Sequence, residues 1–211
     1  MEKKIYEQIK QKILNGEYAP LQRLVETNLA QDLGVGRHKV RAALDRLHLD
    51  GLVQIEPNRG ATVKSLELAE VLDILIAREA LEAGVAYLAA ARIETNQIQQ
   101  LEECLEIMRE ALREGEYDRY SATNKRFHQL IYEASGNKTL PELITSLQQR
   151  LIRLQLRAIL IPGRTEKSLA EHEAIFQALQ AQDAAAAERA ARAHLSSLRT
   201  AIHNAWQLIR L

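Results

Sequence analysis

Leu29-Ala30-Gln31-Asp32-Leu33-Gly34-Val35-Gly36-Arg37-His38-Lys39-Val40-Arg41-Ala42-Ala43-Leu44 ends one apolar stretch, turns, and begins another within a short run. Gly34-Val35-Gly36 is too tight for anything but a turn. From Arg37 to Asp50, Val40, Leu44 and Leu47 recur at helical spacing, and Gly51 supplies a stop. Upstream, Ile5, Ile9 and Ile13 predict a helix over roughly 2–15 that ends at Asn15-Gly16. Downstream, Leu52-Val53-Gln54-Ile55 and Ala61-Thr62-Val63 flank a turn at Pro57-Asn58-Arg59-Gly60 and predict two short β segments. Helix, helix, tight turn, helix and β-hairpin, in that order, predict a winged helix-turn-helix over residues 1–66.

Beyond Ser65 only helical patterns are visible. Six helices are expected, over roughly 67–92, 96–114, 117–134, 141–159, 166–181 and 184–210. Ser135-Gly136-Asn137 closes the third and Pro141 sits in the first turn of the fourth. Ser168 with Glu171 forms a capping-box pair that moves the start of the fifth toward 169. The fold class is therefore mainly α: an N-terminal winged helix-turn-helix followed by an all-α antiparallel helical bundle over 67–211.

The 211 residues, 46% hydrophobic and 27% charged, exclude collagen, long disordered tails and a bare coiled coil. No apolar run is long enough to span a membrane, and the first residues lack the apolar core of a signal peptide, so a cytoplasmic chain without membrane partners is expected. The net charge of zero divides unevenly. Residues 1–66 carry 11 Lys and Arg against 8 Asp and Glu, whereas residues 67–211 carry 17 against 20. A basic small half suits nucleic acid. Cys104 is the single cysteine, which rules out an internal disulfide and a thiolate zinc site; a metal would need His with carboxylate or amide oxygen.

In a helix-turn-helix the N-terminal side chains of the second helix reach base edges in the major groove. Here those are Arg37, His38, Lys39 and Arg41. His38 and Lys39 lie opposite the core stripe; Arg37 and Arg41 flank it. Arginine reads guanine bidentately and lysine serves phosphate or guanine. At the wing tip Arg59 stands beside Gly60, whose missing Cβ permits close approach to DNA. The competing reading is a solvated cationic helix face. His48, near the core side of the same helix, is expected to be structural.

Three histidines of the second half lie on apolar helical stripes: His128 with Asn124, Phe127 and Ile131; His172 with Leu169, Phe176 and Leu179; His194 with Ala187, Ala191 and Leu198. His203 falls on a polar side. Each buried imidazole needs either a private hydrogen-bond partner or a shared divalent ion that satisfies all three. Asn124, one turn before His128, offers an oxygen as a fourth ligand.

Ile13-Leu14-Asn15-Gly16, the run from Leu29 to Arg37, Val40-Arg41-Ala42-Ala43-Leu44, Gly51-Leu52-Val53 and Asn58-Arg59-Gly60-Ala61-Thr62-Val63 resemble the DNA-binding domain of GntR-type bacterial transcriptional regulators. The resemblance implies that Arg37 and Arg41 contact double-stranded operator DNA and that the Arg59-Gly60 tip enters the minor groove. This sequence departs from the usual pattern at Ala19-Pro20-Leu21, at Gly36, where Ser or Thr is common, and at His38-Lys39, which replace a small residue and proline.

Asn124-x-x-Phe127-His128, Ser135-Gly136-Asn137, Glu171-His172, Asp183 and Ala193-His194-Leu195 resemble the FCD effector domain of the FadR subfamily, in its shorter six-helix form. That resemblance implies a divalent ion held by the positions Asn124, His128, His172 and His194, with a small carboxylate effector bound above it; imidazole donors suit zinc or nickel, and the oxygen ligand admits manganese. Asn124 stands where Asp is commoner. Arg78 fits the same pattern as the carboxylate partner; its other reading is an i, i+4 ion pair with Glu82. Arg150, Arg153 and Arg157 share one side of the fourth helix, as a solvated stripe or with one member turned inward.

The function expected is a ligand-responsive, homodimeric transcriptional repressor that senses a small organic acid through a metal-containing bundle. The alternatives are a metal-responsive regulator or one whose ion is purely structural. A three-histidine site also activates water in zinc enzymes, with Glu171 or Glu173 as base, but no other catalytic constellation accompanies it.

Overall fold

Ile5, Ile9 and Ile13 are spaced by four and all three are buried, which fixes one face of α1 (Glu2–Leu14) against the rest of the N-terminal unit. The structure, a computed structural model, describes residues 2–56, 60–65, 67–159 and 161–209. It divides into two units: residues up to Glu67 with Gln148–Leu154, and Leu68–Leu147 with Gln155–Ile209.

In the first unit α2 (Glu26–Asp32) and α3 (Arg37–Leu49) are joined by the turn at Gly34, where φ is +62°. Val40, Ala43, Leu44 and Leu47 form the buried stripe of α3 and pack with the isoleucines of α1. The Tyr6 hydroxyl donates to Asp50 and accepts from Lys10, which ties α1 to the end of α3.

The wing holds one strand more than the sequence predicts. β1 (Arg23–Leu24), β2 (Val53–Glu56) and β3 (Gly60–Val63) make an antiparallel sheet in the order β1-β3-β2. Val53 pairs with Val63 and Ile55 with Ala61, so the alternating Val53, Ala61 and Val63 enter the core. A strand of two residues leaves no periodicity to read, and β1 was invisible for that reason.

Gly60 sits where β3 meets β1. Its φ is +86°, and a Cβ there would lie 2.8 Å from the Leu24 carbonyl oxygen. Both the dihedral and the contact require glycine. Gly60→Ala is expected to destabilise the N-terminal unit by about 1–3 kcal/mol, read as a lowered urea midpoint with an unchanged slope. An unchanged midpoint would show that the strand gives way freely.

The rest of the chain forms α4 (Leu68–Ala90), α5 (Thr95–Glu114), α6 (Tyr117–Ala134), α7 (Thr139–Ala158), α8 (Arg164–Gln180), α9 (Ala184–Asn204) and the short α10 (Trp206–Ile209), all in the second unit except the Gln148–Leu154 stretch of α7. α4 packs along α9, α5 against α6 and α8, and α8 against α9. Phe127, Leu101, Met108 and Leu130 are fully enclosed in the core of the second unit. No helix among the described residues is long and apolar enough to cross a membrane.

Local chemistry sets the helix ends. Glu94 and Gln97 form a capping box at the start of α5, and Gly115 closes it in the left-handed region. Asn137 Oδ1 accepts from the Leu140 amide at 2.9 Å ahead of α7, and Asp183 Oδ1 accepts from Ala186 at 2.9 Å at the start of α9. Two expected boundaries are corrected. The helix expected over 184–210 breaks at Ala205, where φ −96° and ψ 10° leave helical geometry without a Gly or Pro to announce it. The helix expected to begin at 166 or 169 begins at Arg164, because Gly163 turns in the left-handed region just before it. Ser168 is a buried interior residue of α8, and the Glu171 carboxylate is engaged elsewhere.

Candidate functional site

The N-terminus of α3 carries Arg37 and His38 exposed and Lys39 half-buried. Arg41, one turn on, is exposed but not slack: its Nε donates to Glu26 Oε1 at 2.9 Å and its Nη2 to Glu26 Oε2 at 2.8 Å. The fork therefore rests on the first turn of α2, and the Arg41 hydrogen bond holds the Glu26 carboxyl below its usual range.

Gly36 and His38 depart from the usual pattern together. A Cβ at Gly36 would meet the His38 ring at 2.9 Å, so the bare position makes room for the imidazole. Gly36 gives α3 no side-chain cap. His48 is exposed, with Nδ1 3.1 Å from the Val53 carbonyl oxygen, and links α3 to β2. Of the wing tip, Gly60 is described above and Arg59 lies outside the described residues, as do the side chains of Arg153 and Arg157.

In the second unit α6, α8 and α9 bring His128, His172 and His194 together, one ring nitrogen from each within 4.8 Å of the others. His172 and His194 are buried and His128 nearly so. His172 Nε2 lies 3.1 Å from His128 Nε2. Two ligands about 2.05 Å from a tetrahedral centre stand roughly 3.3 Å apart, so this spacing needs little change to accept an ion.

Burial lowers the pKa of all three imidazoles, which leaves them neutral with lone pairs available. Neighbouring histidines and Arg164 push His172 and His194 further down, whereas the Glu82 charge opposes the shift at His128. Asn124, on the same face of α6 as His128, has a buried Oδ1 with no hydrogen-bond partner among the described residues. Three neutral imidazoles, with an orphaned amide oxygen one turn before His128 on the same helix, make an oxygen-nitrogen donor set that fits a divalent cation.

Arg78 is buried and paired with Glu82: Nε donates at 2.8 Å and Nη2 stands 2.7 Å from the same oxygen. The ion pair is thus formed, yet Nη1 remains buried without a partner among the described residues. A small pocket opens beside Glu82, His128 and His194, with Ile131, Ile175 and Leu195 among its apolar walls.

Sequence reasoning missed Arg164. Its side chain is buried, Nη2 donates to Glu171 Oε2 at 2.9 Å, and Nε and Nη1 have no partner among the described residues. The same Glu171 oxygen lies 2.8 Å from His194 Nδ1. The available signal was Gly163, which marks the true start of α8.

The family described as bacterial regulatory proteins, gntR family, matches residues 1–63, and the FCD domain matches residues 73–197. The HTH-type transcriptional repressor RspR of Escherichia coli K12 is 31% identical over 92% of this chain and 85% of its own length. The HTH-type transcriptional regulator LutR of Bacillus subtilis is 30% identical over 88% of this chain and 94% of its own. The solved structure of E. coli McbR/YncC shares the fold, with a TM-score of 0.73 at 24% identity over 98% of this chain and 97% of that one. These relatives are transcriptional regulators and not enzymes.

Proposed function

From the premise that the chain belongs to the gntR family of DNA-binding transcriptional regulators and carries an FCD domain, we propose that it is a metal-dependent sensor of a small organic acid. In this reading residues 1–66 bind operator DNA through Arg37, His38, Lys39 and Arg41, with the Arg59-Gly60 tip in the minor groove. Residues 67–211 bind the effector. The observation that carries the proposal is the convergence of three neutral imidazoles inside the second unit; the unpartnered Asn124 oxygen, on the same helix face as His128, supports it.

His128, His172, His194 and Asn124 would hold the cation, zinc, nickel or manganese by the softness of the donors. When bound, it supplies a Lewis-acidic positive centre for a carboxylate oxygen. Arg78 offers Nη1 to the same anion while Glu82 fixes the rest of the guanidinium. The apolar pocket walls exclude water from that contact and so strengthen it.

The protein acts as a cytoplasmic homodimer on a two-fold operator, since one recognition helix reads only a few base pairs. α4 supports this assembly. Ile76 and Tyr87 are about half exposed, and Ala80 and Gly84 continue the same apolar face between them. Repression is relieved when the effector binds the DNA-free conformation more tightly; a 100-fold preference supplies about 2.7 kcal/mol per site.

A thermal-shift screen of mono-, di- and tricarboxylates and sugar acids, with zinc and after chelation, tests the reading. A stabilising acid is expected whose effect disappears with chelator and in His172→Ala. A hit that survives both treatments would overturn the metal-anchored pose. Stabilisation and altered operator binding by zinc alone would replace acid sensing with metal sensing.

A further inference from the structure

Glu171 Oε2 is held from two sides. His194 Nδ1, on α9, lies 2.8 Å away, and Arg164 Nη2, two turns before Glu171 on α8, lies 2.9 Å away. All three side chains are buried or nearly so, with 6% to 15% of their surfaces exposed. A carboxylate oxygen only accepts, so the His194 ring carries its hydrogen on Nδ1 and keeps its lone pair on Nε2, free for a ligand role.

The other two histidines lack this arrangement. His172 Nδ1 has no partner among the described residues, and His128 Nδ1 stands 3.8 Å from Glu82, beyond hydrogen-bond reach. His194 is thus the member of the triad whose tautomer a carboxylate selects.

We propose that Glu171 is the positioning residue that fixes His194 as a ligand, and that Arg164 anchors Glu171. The proposal rests on the metal reading above. Without the carboxylate acceptor, His194 can place its hydrogen on Nε2, and that tautomer offers no lone pair at Nε2 for an ion. Arg164 immobilises the acceptor through a planar donor, a role that a lysine ammonium fills less well. Partners of this kind orient metal-ligating histidines and typically change metal affinity 10–100-fold when removed.

The test uses the full chain with zinc as probe. Competition against a chromophoric chelator should show zinc affinity about 10–100-fold weaker in Glu171→Gln and Glu171→Ala. Gln keeps the volume but, with one acceptor and one donor group, accommodates both tautomers. Long-range proton–nitrogen correlation spectra of the metal-free protein should show His194 protonated on Nδ1 in the parent and mixed in Glu171→Gln. Arg164→Lys should fall between the two in affinity.

An unchanged tautomer together with zinc affinity within threefold of the parent would overturn the role of Glu171. Parent-like affinity in Arg164→Lys would remove Arg164 from it. Failure of the parent chain to bind zinc would instead sink the metal reading, and the tautomer spectrum of metal-free protein would still decide what Glu171 does. If Glu171→Ala does not fold, the isosteric Gln variant carries both measurements.

Discussion

Metal-stripped protein is expected to gain about 4 kcal/mol of stability at a zinc concentration a thousand times its dissociation constant, a rise in melting temperature of roughly 8–16 °C. The gain follows from mass action on a site that exists only when α6, α8 and α9 are packed, because the three ring nitrogens come from separate helices. His172→Ala should abolish the rise, since it deletes one of two imidazoles whose Nε2 atoms already stand 3.1 Å apart. It also leaves a cavity where a fully buried ring was, so the informative quantity is the zinc-dependent shift of each variant against its own metal-free baseline. Asn124→Asp should move the other way, because an ionised oxygen is a stronger ligand for a hard or borderline cation than an amide oxygen. Elemental analysis should find about one divalent ion per chain after metal-replete purification. Metal-free protein whose melting ignores zinc would refute the site.

The second large effect is expected on DNA. Arg37→Ala and Arg41→Ala should each lose about 1–3 kcal/mol on the operator, 5- to 150-fold, with little loss on scrambled duplex. For Arg41, magnitudes decide the competition between Glu26 and DNA. Its two hydrogen bonds are at the surface, with 69% of the arginine side chain exposed, and such pairs contribute about 0–1 kcal/mol. A bidentate base contact exceeds that, so the guanidinium is free to transfer from Glu26 to a base. Gel shifts on both duplexes at two salt concentrations decide the matter. Equal weakening on operator and scrambled DNA would reduce the arginine to a phosphate contact.

The apolar periodicity of the sequence carried most of the fold. Ile5, Ile9 and Ile13, and then Val40, Leu44 and Leu47, are buried where spacing placed them, because a face that repeats every turn has one way to leave water. The same rule brought out His128, His172 and His194, each one turn from apolar neighbours, and the structure gathers all three. What escaped depends on single residues. Ser168 and Glu171 imitate a capping box, and believing them starts α8 too late, which removes Arg164 from view as a loop residue. The positive φ of Gly163 overrides that local signal. The partnership of Arg41 with Glu26 joins positions 15 residues apart, and no helical period connects them.

Charge in the middle of the second unit is balanced before any ligand arrives: Arg78 against Glu82, Arg164 against Glu171, and three neutral imidazoles. A dication placed among them leaves two positive charges uncompensated where the dielectric is low, and an organic anion cancels that excess. The two affinities are therefore linked, and by thermodynamic reciprocity the factor by which anion tightens cation is the factor by which cation tightens anion. In the proposed reading such a centre would work as a coincidence detector: a cell short of the ion would respond to the acid only at a higher concentration, and the controlled genes would follow the joint supply of both.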